Sequence, residues 1–200
     1  MKRLYGFLFA ISSMLVMLPH SGLAADYLLD RDHTAVHFSW DHLGMSRQSG
    51  RFTEITGRVR FNPAEPENSS VTVRIGVASL QTGVPALDRH LVGTPDFFDV
   101  RSFPDITFVS KAVALTTSRT ANVSGDLTIN GQTHPATLSV VWNFDGEHPL
   151  AKVNPTYSGV YALGFSARTK ILRSRWGIAR SIPLVSDEIR IVIETEMLRR

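Results

Sequence analysis

No cysteine occurs in the 200 residues, which excludes disulfides, thiolate metal sites and cysteine nucleophiles together. Surplus charge is also scarce: 21 Lys and Arg stand against 18 Asp and Glu, for a formal +3. Two of those basic residues, Lys2 and Arg3, belong to an N-terminal leader, so the mature chain would carry 19 against 18, or +1. A general nucleic-acid binder needs a larger surplus. The chain contains no G-x-S-x-G elbow, Walker loop, dinucleotide glycine fingerprint or paired-carboxylate signature, so the common hydrolase and nucleotide-site readings have no support. It also lacks internal repeats and any linker long enough to separate domains. With 43% hydrophobic and 20% charged residues, 14 Gly and 10 Pro, it has the composition of one ordinary globular domain.

The leader reads as a secretory signal peptide. Met1-Lys2-Arg3 supplies the positive start, Leu4 to Leu18 is apolar and ends at Pro19, and Gly22-Leu23-Ala24 offers small residues for cleavage after Ala24. The apolar stretch is shorter than the roughly 20 residues of a membrane span; an uncleaved anchor is the alternative. The expected organisation is a signal peptide at residues 1–24 and a single domain at residues 25–200. Export without disulfides points to a bacterial periplasm.

The mature chain alternates apolar and polar residues nearly throughout. Val36, Phe38 and Trp40, then Ile55, Gly57, Val59 and Phe61, then Val71, Val73, Ile75 and Val77 share the period of two. So do Ile106 and Phe108; Val123, Leu127 and Ile129; Leu138 to Phe144; Tyr161, Leu163 and Phe165; and Ile189, Ile191 and Ile193. That makes about eight half-buried strands, and Asn130-Gly131 marks a hairpin whose turn needs positive φ at both central residues. Only Val84 to Val100 leans towards helix, as two short turns hinged at Gly93, with Pro85 and Pro95 in first turns and Thr94 as an N-cap. Helices this short cannot cover a parallel sheet. The expected fold class is therefore all-β, as a sandwich or a closed antiparallel barrel with one short helical excursion.

Three groups of residues could carry chemistry. His33 and His37 would share a face on a helix, but on a strand they lie roughly 13 Å apart, so a shared metal is not expected. Asp88 and His90 could form an acid/base pair; the alternative is a hydrogen-bond network tying the helical excursion to the barrel mouth. Arg168, Lys170, Arg173, Arg175 and Arg180 form a basic run around Trp176. It suits a solvated face, or a cationic rim for an anionic head group or membrane surface. Arg173 and Arg175, two apart, would point the same way on an extended segment, and Trp176 suits either an interfacial position or a plug at the barrel end.

The stretches HTAVHFSWDHLGMSRQSGRF (His33 to Phe52), SLQTG (Ser79 to Gly83), DRHL (Asp88 to Leu91), DFFDV (Asp96 to Val100), FPDITF (Phe103 to Phe108) and GDLTINGQTHPATL (Gly125 to Leu138) together resemble the YceI-like polyisoprenoid-binding family. The resemblance spans essentially the whole mature chain and implies an eight-stranded antiparallel lipocalin-like barrel, a long apolar cavity, an isoprenoid ligand and a periplasmic setting. This chain departs from the family pattern with Leu87 where an Arg usually precedes Asp88, with Thr34 after His33, and with Arg175 in RSRWG where an acid is usual.

The expectation is a carrier or binding protein, not an enzyme, for a polyprenyl or quinone-type lipid, without metal or other cofactor. Residues expected to line the ligand are Phe38, Trp40, Phe61, Ile75, Phe97, Phe98, Phe108, Leu127, Trp142 and Phe165. The expected head-group rim is Asp88, His90, Arg173, Arg175 and Trp176, with the Gly93-hinged segment as a lid. Expected partners are the lipid, a transient membrane contact and a second copy as a homodimer, with no nucleic acid. Two competing readings are an enzyme acting on a lipid head group through Asp88 and His90, and a ligand-free barrel serving in envelope stress.

Overall fold

A computed structural model describes residues 24–199. The expected signal peptide lies outside the described residues apart from its last residue, Ala24. The elements are β1 (Ala25–His42), β2 (Ser46–Phe52), β3 (Ile55–Phe61), β4 (Ser70–Gly76), β5 (Leu80–Gln81), α1 (Pro85–Gly93), β6 (Asp105–Leu115), β7 (Thr120–Ile129), β8 (Gln132–Glu147), β9 (Tyr161–Leu172) and β10 (Glu188–Arg199). They form one sheet, β10-β9-β8-β7-β6-β4-β3-β1-β2-β5, which closes because β10 also pairs with β1. Every pairing is antiparallel.

Ten strands fill eight positions around the barrel. β1 pairs with β2 over Val36–His42 and with β3 over Ala25–Leu28, so β2 and β3 follow one another along its edge. β4 and β5 continue each other in the same way against β3 and β2. The sequence expectation of an eight-stranded antiparallel barrel with one short helical excursion is the observed architecture.

Alternation sets which side chains turn inward. On β3, Ile55, Val59 and Phe61 are buried while Thr56, Arg58 and Arg60 are exposed; on β7, Val123, Gly125 and Ile129 are buried. The buried residues gather in two clusters. One, built on Phe52, Ile55, Val77, Ile106, Ile129 and Trp176, sits at the end of the barrel that carries α1. The other, built on Tyr27, Val59, Phe61, Leu163 and Met197, sits at the opposite end, with the loops 62–69, 116–119 and 148–160. Asn130 and Gly131 turn the β7–β8 hairpin with φ of +49° and +68°, the geometry their pairing predicts.

The excursion needs correcting in three respects. It holds one helix, α1, and not two helical turns, because Pro95 occupies a tight turn in which the Phe97 N–H donates to the Thr94 carbonyl at 3.0 Å, a position proline's fixed φ favours. Thr94 caps the C-terminus of α1 and not the start of a second helix; its Oγ1 donates to the His90 carbonyl at 2.9 Å. Gly93 is the last helical residue and has no positive φ. Instead of hinging there, the segment folds back on α1 through Phe98 N–H to Leu91 O (3.1 Å) and Val100 N–H to Val92 O (3.0 Å).

Close approach of β6 to β7 depends on Gly125. A Cβ at this position would run into the Val109 carbonyl and come within 2.8 Å of the Ser110 Cα, and backbone cannot swing aside as a side chain can. Gly125→Ala is expected to lower stability by about 1–3 kcal/mol in urea unfolding. Unchanged stability would mean that β6 retreats freely from β7.

Candidate functional site

The inward side chains do not fill the barrel. They leave a cavity of about 660 Å³ running from α1 to the loop 116–119, within the roughly 300–1,000 Å³ of small-molecule sites. Its wall includes Phe38, Ile75, Phe108 and Leu127. Ile75, Leu127 and Ile191 point inward yet are only half-buried, because the surface they retain faces the hollow.

All ten side chains expected from the sequence to meet a ligand lie on this wall. At the α1 end, Phe38 stacks on Trp40 (centroids 5.8 Å apart) and tilts against Phe52 (5.4 Å), which meets Phe98 edge-on (5.9 Å); Phe97 completes that end. At the opposite end Phe61 meets Trp142 edge-on at 4.8 Å and Phe165 at 5.8 Å. The Arg119 guanidinium lies 4.3 Å over the Trp142 ring and pairs with Asp145 at 3.1 Å.

The expected rim does not form as one. Arg173 and Arg175 do not lie on an extended segment facing one way, because Arg173–Trp176 is a 3-10 turn. Arg173 is 6% exposed, and its guanidinium donates to the carbonyls of Ile178 (2.8 Å), Val185 (2.9 Å) and Ser186 (3.0 Å). Burial lowers its pKa from the ordinary arginine value, and Asp187 opposes the shift. Arg175 points outward, 5.8 Å over the Trp176 ring. Trp176 is 1% exposed and donates from Nε1 to the Leu127 carbonyl at 3.1 Å, so it plugs the barrel end; it and Arg173 border the cavity there from within.

Asp88 and His90 part company. Asp88 Oδ1 accepts from Thr82 N–H (2.7 Å) and Thr82 Oγ1 (2.6 Å), tying α1 to the end of β5. His90 lines the cavity and sits edge-on to Phe97 at 5.1 Å. His33 and His37 lie on β1, His37 on the outer face. His33 Nδ1 bonds Asp30 Oδ2 at 2.9 Å, which raises the His33 pKa and helps lower that of Asp30.

Sequence reasoning missed the polar groups at the two ends of the cavity. His42 and Gln48 border it near α1, while Ser69, Ser70, Ser118, Arg119 and Thr120 border it opposite. The signal for His42 was available: it continues the inward series Phe38, Trp40. Arg119 had none, because it stands in a polar turn between two strands.

Removing Arg173 tests its structural role. Arg173→Met keeps the aliphatic stem but leaves three carbonyls without their donor, with an expected loss of about 2–4 kcal/mol in urea unfolding. A loss below about 0.5 kcal/mol would mean that water replaces the guanidinium there.

The YceI-like domain model matches residues 27–197. A UPF0312 protein of Pseudomonas syringae pv. syringae is 36% identical over 158 residues, 78% of each chain. Among solved structures, BcnA of Burkholderia cenocepacia superposes with a TM-score of 0.72 at 25% identity, covering 84% of this chain and 98% of that one. A polyisoprenoid binding domain from Saccharophagus degradans, implicated in plant cell wall breakdown, shares the fold with a TM-score of 0.59 at 12% identity, covering 89% of this chain and 100% of that one. An antiparallel barrel closed on eight positions is thus what this chain shares with its solved neighbours, and with the family model matched over nearly all the described residues it belongs to the YceI-like family.

Proposed function

We propose that this protein binds an isoprenoid lipid, a polyprenyl or quinone-type chain, inside the barrel and carries it through the bacterial periplasm. The observation that carries this reading is the cavity: about 660 Å³, walled almost entirely by apolar side chains and extended along the barrel. Strands of about 11 residues tilted near 40° give a barrel roughly 28 Å high, which suits a slender chain better than a compact metabolite. Burial stabilises by about 0.8 kcal/mol per methylene, so a few isoprene units offset the cost of association and reach micromolar binding. The Saccharophagus domain, named for polyisoprenoid binding, lends the ligand class further support. The reading as a head-group enzyme gains nothing from the geometry, since the Asp88 carboxylate is held by Thr82 and no hydrogen bond joins it to His90 among the described residues.

Native mass spectrometry of protein purified from its own periplasm tests the reading directly. A co-purifying isoprenoid lipid is the expected result; an empty barrel, or a lipid without isoprene units, would sink it. Leu127→Arg places an unpaired charge on the apolar wall, and lipid occupancy is expected to fall about tenfold or more. Full loading of a folded variant would remove Leu127 from the binding surface.

A further inference from the structure

The α1 end of the barrel carries an apolar tip for which the fold has no use. Leu43 and Gly44 turn the β1–β2 hairpin with φ of +55° and +69°, and the Met45 N–H closes it on the His42 carbonyl at 3.0 Å. A leucine in this left-handed region is strained. The β7–β8 hairpin, at the same end across the barrel, makes the same turn with Asn130 and Gly131, the residues that adopt it with least strain. Leu43 nevertheless stays 45% exposed, Met45 74% and Leu184 64%. The three are held together, because the Leu43 N–H donates to the Leu184 carbonyl at 2.8 Å and His42 bridges to Val185. His42 and Val185 themselves border the cavity, so the tip stands beside its α1 end.

The fully exposed charges at this end are mostly of one sign: Arg47, Arg89, Arg101, Arg175 and Arg180 are exposed, whereas of Asp41, Asp88, Asp96, Asp99 and Asp187 only Asp96 is, the others being half-buried. The loops 62–69, 116–119 and 148–160 of the opposite end expose Arg119 and Lys152 against Glu65 and Glu67. Arg89, Arg101 and Arg175 are exposed and join no ion pair among the described residues. Apolar side chains that insert at an interface, with free guanidinium groups at the same end of the barrel, complement an anionic bilayer.

We propose that Leu43, Met45 and Leu184 form a docking tip that seats the α1 end of the barrel on an anionic membrane surface. The strain at Leu43 is retained for that contact. The proposal does not depend on what the cavity holds.

The match covers 98% of the solved Burkholderia chain, so the barrel domain, residues 25–200, is the unit to test. Sedimentation with sucrose-loaded phosphatidylglycerol vesicles is the expected behaviour, with much weaker association to pure phosphatidylcholine vesicles and a decline as salt rises. Met45→Asp with Leu184→Asp is expected to cut partition about tenfold or more. Arg89→Gln with Arg175→Gln should cut it about 25-fold on the anionic vesicles only, as each cation near the surface is worth about fivefold. Leu43→Asn should raise the thermal midpoint while lowering vesicle association, a split that a purely structural leucine would not give. Val153→Asp, at the opposite end and 77% exposed, should change nothing.

Absence of wild-type association with anionic vesicles would overturn the proposal, as would an equal loss in Val153→Asp. So would a dimer that the Met45/Leu184 variant dissociates in place of any vesicle binding, because a second copy would then cover the tip. Lipid retained in the same variants, read by native mass spectrometry, reports on carriage separately.

Discussion

Closure of β10 on β1 is the constraint on which the rest of the structure depends. An open sheet of this length would expose two edges of unpaired N–H and C=O groups and could enclose nothing. Closure explains why β1 runs for 18 residues: one edge must meet β10 while the other serves first β3 and then β2. The strand absorbs the resulting mismatch in a bulge. Between the pairs Leu29↔Met197 and Thr34↔Thr195, four residues of β1 face Glu196 alone. Bulges of this kind increase local twist and bend the strand, which a small closed barrel requires of its longest member.

A closed wall of backbone hydrogen bonds also explains why the interior stays hollow. Collapse onto the cavity would break ladder pairs all around the barrel, each costly to leave unmade in a dry interior. The ends are therefore finished separately. Phe61, Trp142 and Phe165 crowd one end, and Trp176 fills the other, supported beneath by the Arg173 guanidinium and the three carbonyls it holds. Charge buried in this way is tolerable only because every bond it makes is to a group that also needs a partner.

Most of the wall was legible in the sequence, because a period of two survives wherever one strand face is wet and the other is not. β2 was the exception. Its sequence, Ser46 to Phe52, is SRQSGRF, with six polar or glycine residues before one aromatic. It pairs with β1 along its length but with β5 at only two residues, so most of it packs against nothing that would demand apolar side chains. The basic run failed for a different reason. Spacing in an extended chain decides which way Arg173 and Arg175 point only if the chain is extended there, and Gly177, at φ +78°, instead closes a 3-10 turn that sends one arginine inward and the other out. Thr94 and Pro95 misled because an N-cap and a turn use the same residue types; the hydrogen bonds back to Leu91 and Val92, which only tertiary structure supplies, decided between them.

An apolar bore of nearly constant character holds a chain by area, and area does not fix position. Every methylene that leaves the wall at one end can be replaced by another entering behind it, so the wall alone lets a flexible chain slide with little change in free energy. Orientation must come from the ends, where the wall stops being uniform. One end offers His42, Gln48 and His90 beside the apolar tip, with the buried Arg173 committed to backbone carbonyls. The other offers Arg119, already shared between Trp142 and Asp145, with the hydroxyls of Ser69, Ser118 and Thr120. A polar head would meet different chemistry at each, so the middle of the barrel sets how tightly a chain is held and its two ends set which way round it lies.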